Sequence, residues 1–229
     1  MRRCADVCKI NHLLRSNGVF IRSELLDDFD ASVARHLQLI LDGNLDEEAK
    51  IQATVGVKDG GLGLQRAADM HLPAFIAASL AVRPMIVGMT DCRHARILPE
   101  RTIEVFDADF SNASELLMRK LSPTGISSAR RAIGSARTDA EDCYTALKSG
   151  KRLQSRTQHS SDCSILLPVG AEDPEYPDGQ PGNLQKILGT IINEERMDLL
   201  SDRFTAQHRW TDARRLRELR DPSVSHDWI

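Results

Sequence analysis

Aromatic side chains are scarce in this chain: Phe, Trp and Tyr together make up 4% of its residues. A β-sandwich draws on Val, Tyr, Phe and Trp for its strands and core, so the scarcity argues against one. Any core has to rest on Leu, Ile, Val and Ala, a set that favours helices. Cysteine is sparse and odd in number, five at irregular spacing. That excludes a disulfide framework and fits a reducing compartment. The opening MRRCADVCKI carries charge but no apolar run of signal-peptide length, and no window reads as a membrane span. A surplus of positive charge is missing too. The net charge is −3 over 229 residues and the isoelectric point is about 6.2, unlike a dedicated nucleic-acid binder. These absences imply an intracellular chain, cytoplasmic or nuclear, with no membrane partner.

What the chain does contain is helical periodicity. Ala5, Cys8, Leu13 and Leu14 suggest a short helix over residues 2–16, stopped by Asn17-Gly18. Leu25, Leu26, Phe29, Val33, Leu37, Ile40 and Leu41 recur at threes and fours, a continuous apolar stripe that ends at Gly43-Asn44. Asp46-Glu47-Glu48 place acids where a helix dipole favours them, so a short helix should follow to about Thr54. Pro73 suits the first position of the next helix, which runs through Ala74–Leu80 and closes at Arg83-Pro84. Ile103–Phe106 (IEVF) reads as a strand or an extended link, and Ser111-Asn112 offer caps for a helix to about Leu121. Ile126, Ala129, Ile133, Ala136, Ala140, Cys143 and Leu147 form a heptad-like seam of mostly small residues. Residues 157–182 are dense in Ser, Asp, Pro and Gly and read as a disordered linker. Two last helices carry Leu184, Ile187, Leu188, Ile191 and Ile192, then Trp210, Ala213, Leu216 and Leu219.

The fold class implied is mainly α: an irregular multi-helix assembly with a disordered linker before a C-terminal helix pair. Four segments follow: residues 1–84 with a GGLGL turn, a connector over 85–156, the linker 157–182, and the helix pair 183–229.

Each candidate for chemistry has a structural alternative. The glycines of KDGGLGL lack the Lys and hydroxyl of a phosphate-binding loop, and no dinucleotide frame fits them. The expected role is structural, with Gly60 and Gly61 at positive φ and Gly63 admitting a close backbone approach. Cys4, Cys8 and His12 share a helix side, and Cys92 and His94 are near neighbours in sequence, but zinc wants four ligands and a tighter pair, so buried thiols are expected. Asp107-Ala108-Asp109 has the D-x-D form of metal-dependent transferases, yet it reads more simply as the polar start of the helix at Ser111. No nucleophile–base constellation can be ordered from the sequence, and no cofactor is expected. Positive charge is concentrated locally: nine Lys/Arg against three Asp/Glu lie between Arg119 and Arg156. Arg130, Arg131, Arg137, Lys148, Lys151 and Arg152 are the candidate phosphate contacts there.

The stretch VGVKDGGLGLQRAADMHLPAFIAAS, Val55–Ser79, resembles a segment that follows the polymerase palm in reverse-transcriptase-like proteins of non-LTR retrotransposons. Gly60, Gly61, Leu62, Gly63, Leu64, Ala68, Asp69, Pro73, Ala74, Phe75 and Ser79 fit it. CKINHLLR, the Phe29-Asp30 pair, LQKILGTIINEERMDLLSD and ARRLRELRDPSVSHDWI are similar to flanking family segments, with Trp228 at the family's Trp. The likeness covers about two-thirds of the chain and is weak over residues 85–182. The palm's paired aspartates have no counterpart here, and two-metal nucleotidyl transfer needs them. The resemblance therefore implies a non-catalytic thumb and connector piece, with weak, salt-sensitive binding of RNA or DNA. Its other partners would be the remaining polymerase or nuclease domains of a parent polyprotein. A second expectation is a helical protein–protein interaction module that docks a partner on the 126–147 seam. A third and weaker one is a transferase around Asp107 and Asp109.

Overall fold

A computed structural model of the chain describes residues 10–90, 99, 101–148 and 181–220. Among the described residues there are eight α-helices and no strand, so the protein is mainly α. The helices are α1 (Asn11–Asn17), α2 (Ser23–Leu41), α3 (Glu47–Thr54), α4 (Ala67–Thr90), α5 (Arg101–Met118), α6 (Pro123–Lys148), α7 (Pro181–Ala206) and α8 (Trp210–Arg220). Short 3₁₀ turns lie at Gly18–Phe20 and Val57–Asp59.

Several helices begin and end where their residues direct. The Asp46 carboxylate caps α3 by accepting from the Ala49 N–H at 2.7 Å, satisfying a donor that the first turn leaves free. Helix α2 stops at Leu41, and Asp42 turns the chain in the left-handed region at φ 48°.

Two regions differ from expectation. Helix α4 runs unbroken through Pro73 and Pro84, where the sequence suggested one helix starting at the first proline and ending at the second. A proline inside a helix costs about 3 kcal/mol through a lost hydrogen bond and a ring clash. Here that cost is offset by burial, since Leu72, Ala74, Ile76, Ala77 and Leu80 are all nearly inaccessible. The other difference is IEVF, which forms the first turns of α5 and not a strand. Ile103, Phe106, Phe110, Ala113 and Leu117 lie three and four apart, and Ala113 and Leu117 are fully buried. That helical period outweighs the β-branched character of the first four residues.

Helix α4 is the hub, packing on α1, α2, α5, α6 and α7. The main core joins Leu72, Phe75, Ile76 and Leu80 of α4 to Ala113 and Leu117 of α5, Ala129, Ile133 and Ala136 of α6, and Leu184, Leu188 and Ile191 of α7. One core thus draws on residues from before, within and after the middle of the chain. Ala129, Ile133 and Ala136 of the α6 seam are turned into this core, while the side chains of Cys143 and Leu147, at its far end, lie outside the described residues. The C-terminal pair α7 and α8 packs as a pair, burying Met197, Leu200 and Phe204 against Ala213 and Leu216 with Val55 beneath them. Residues 149–180, including most of the expected linker, lie outside the described residues.

The continuity of α4 corrects a second expectation. Ala67–Met89, at a mean hydropathy of 1.7, is long and apolar enough to cross a membrane by length and composition. Of that apolar window 44% is buried in the protein, and its buried residues lie between Ala67 and Leu80.

Candidate functional site

The glycine loop joins α3 to α4 and is built by hydrogen bonds to its own chain. Asp59 N–H donates to the Gly56 carbonyl at 3.0 Å and Gly60 N–H to that of Val57 at 3.1 Å. Gly61 donates to Gly56 at 3.0 Å, Gly63 to Val55 at 2.7 Å and Leu64 to Ala53 at 3.1 Å. A phosphate cradle needs such N–H groups free and convergent; here five are already engaged. Gly60 and Gly63 take left-handed φ of 82° and 67°. At Gly61 a Cβ would collide with the Gln52 and Val55 carbonyls. The roles of Gly61 and Gly63 are therefore exchanged relative to expectation, while the loop as a whole is structural. Leu64 is buried, Leu62 half exposed, and Pro73 and Phe75 sit inside the core side of α4.

Helix α7 clamps this loop. The Asn193 side-chain amide donates to Asp59 Oδ2 at 2.9 Å, and its oxygen accepts from the Gly56 N–H at 3.1 Å. Between loop and helix lies an open groove of about 580 Å³. Lys186 and Arg196 line it together with Asp59 and Asp69, so its charges balance. Arg196 forms an ion pair with Asp69. Burial, and then the nearby Arg66 charge, draws the Arg196 pKa down to about 10, with Asp30 opposing. The guanidinium still stays charged at neutral pH.

The start of α4 is held from α2. Asp30 accepts from the Ala67 N–H at 2.7 Å and the Ala68 N–H at 3.1 Å, and Arg66 approaches the same carboxylate at 3.4 Å. Phe29 packs beside it on Leu14, Ala67, Met70 and Ala74. The Phe29-Asp30 pair thus acts locally, seating one helix end on another. One turn on, His71 has a buried Nδ1. Burial, and then the Lys120 charge, lowers its pKa to about 4, while the backbone at Ala68 and Ala67 opposes the shift. Lys120 itself donates to the Ala68 carbonyl at 3.2 Å. Its pKa is lowered by burial and by Arg66, with Asp27 opposing.

The basic candidates divide. Arg130, Arg131 and Arg137 are exposed on α6, Arg131 opposite its buried seam and Arg130 and Arg137 along the seam's flank. Arg137 pairs with Glu141 at 3.3 Å. Arg130 and Arg131 make no ion pair among the described residues. Lys148 ends α6, with its side chain outside the described set, and Lys151 and Arg152 lie beyond it.

Asp107-Ala108-Asp109 lies within α5, which begins at Arg101, and not at a helix start by Ser111. Asp107 and Asp109 are two apart inside α5, a spacing that turns them to different sides. Asp107 receives both Nε and Nη2 of Arg83 at 3.0 Å, which locks α5 to α4 and raises the Arg83 pKa. That bidentate pair uses the carboxylate a cation would need. Among the described residues no three His, Cys, Asp or Glu side chains gather as metal ligands. Cys4, Cys8, Cys92, His94 and Trp228 lie outside the described residues.

Asn193, Arg196, Asp69 and Lys120 were not visible as partners in the sequence, because each acts across a long chain separation. No family model, curated protein or solved structure matches the chain.

Proposed function

We propose that this chain is a helical, non-catalytic scaffold of the kind that follows the palm in non-LTR retrotransposon reverse transcriptases, and that it touches nucleic acid weakly through α6. The observation that carries the reading is the two-sidedness of α6. Ala129, Ile133 and Ala136 are buried in the core and anchor the helix, while Arg130 and Arg131 are exposed and unpaired among the described residues. A fixed helix with free guanidinium groups is suited to phosphate backbone contact without base readout. Three further features are compatible with a scaffold: a glycine loop engaged with its own chain, Asp107 committed to Arg83, and a Phe29-Asp30 pair that seats α4.

Fluorescence anisotropy with an RNA–DNA duplex tests the reading. With two or three phosphate contacts, log Kobs should fall against log salt with a slope of about 2–3. Arg130→Gln/Arg131→Gln should reduce the slope by about 2 and abolish measurable binding at physiological salt. Tight binding insensitive to salt, or binding untouched by the double substitution, would reject it.

A further inference from the structure

Helix α2 has a second face that the described residues leave largely open. Its inner side buries Leu26 and Leu37. On the outer side Leu25, Asp28, Ser32, Arg35 and Leu39 recur at steps of three and four, a spacing that forms one stripe along a helix. Leu39 is 78% exposed and Leu25 52%. Asp28 and Arg35 join this stripe and Glu24 borders it, and none of the three has an ion-pair partner among the described residues.

We infer that this stripe is a self-association surface, on which α2 of a second copy of the chain packs antiparallel about a two-fold axis through Ser32. The order of charges selects both occupant and direction. Along the stripe the acids Glu24 and Asp28 come first, and Arg35 with His36 beside it comes after. A parallel copy would set each charge against itself. An antiparallel copy centred on Ser32 sets Asp28 against Arg35 and His36 of the second copy. The same operation places Leu25 beside Leu39 of the second copy, twice per dimer. A self-complementary patch of this kind is what a two-fold interface requires. The helix dipoles also oppose head to tail. The surface is separate from the α6 arginines and independent of the function proposed for them.

One pair of helices about 28 Å long buries less than the ~1,200 Å² of a stable interface. The dimer should therefore be weak, with a micromolar dissociation constant, and should loosen in salt as its rim pairs are screened.

Sedimentation velocity of the full chain, without nucleic acid, over a concentration series at low and high salt is the test. The weight-average mass should climb toward a dimer with concentration, and less steeply at high salt. Leu39→Asp should weaken association about tenfold or more, because two unpaired carboxylates enter the contact per dimer. Its thermal melt should match that of the unaltered chain, since Leu39 lies outside the core. Arg35→Asp should weaken association and Asp28→Arg/Arg35→Asp should restore it. A chain monomeric at every concentration overturns the proposal and leaves the stripe to a different protein. A dimer indifferent to Leu39→Asp, or a charge swap that restores nothing, overturns it equally.

Discussion

Helices α4 and α2 both carry apolar residues in every turn, but α4 is wrapped and α2 is half open. Helix α4 touches five other helices, and its Ile76 and Leu80 are essentially inaccessible. Helix α2 rests chiefly on α4, with Leu37 reaching Ala53 and Leu64, and it leaves Leu25, Leu39, Ile40 and Leu41 substantially exposed. Periodicity in a sequence locates an apolar side. It does not state how many neighbours will cover it. In α4 those neighbours are numerous enough to hold two prolines in a helix; in α2 they are too few to hide even a seven-residue stripe.

The contrast is broken most sharply by truncating one leucine on each helix. Leu80→Ala empties a fully enclosed site and should cost about 2–5 kcal/mol in urea unfolding. Leu39→Ala should fall within about 0.5 kcal/mol of the unaltered chain. Equal losses would mean that the outer side of α2 is covered after all.

The join between the two helices gives the next effect. Asp30→Ala removes the acceptor for two N–H groups at the start of α4 and the partner of Arg66, and should cost about 1–3 kcal/mol. Asp30→Asn keeps one oxygen and should recover part of that. If Asp30→Ala melts like the parent, the two helices are held by packing alone.

The smallest effect concerns His71, inside the first turns of α4. Its pKa in the folded chain is about 4 against an ordinary 6.5, so the unfolded chain binds the proton first as the pH falls. Its contribution to stability is complete above pH 6.5, fades between 6.5 and 4, and is gone below. Allowing for solvent screening, that amounts to about 1–2 kcal/mol. Urea midpoints at both ends of the window should therefore differ less for His71→Leu than for the parent. Identical differences would show that another group sets the acid response.

Some of this architecture could be read directly. The stripes of α2 and α6 and the paired C-terminal helices obey one local period over many residues, and the Asp46 cap acts three residues away. The unbroken α4 was hidden, because proline rules are local while the burial that overrides them comes from α5, α6 and α7. The start of α5 was hidden by a β-branched tetrapeptide whose helical partners, Phe110 and Ala113, lie further on. At the candidate site the sequence did not show which glycine does what: that depends on the carbonyls of Gln52 and Val55. Asp30 and Asn193 bind partners 37 and 134 positions away, and no spacing rule reaches that far.

The Asn193 clamp also has a consequence for the order of events during synthesis. The glycine loop emerges from the ribosome early, but the side chain that fastens it belongs to a helix made more than a hundred residues later. Gln185 likewise bonds Asn11 and Arg15 of α1. Until α7 is made, Leu72, Ile76 and Leu80 lack the residues that close over them. Closure of this core therefore waits for α7, and until that helix is made the nascent chain carries an open apolar hub.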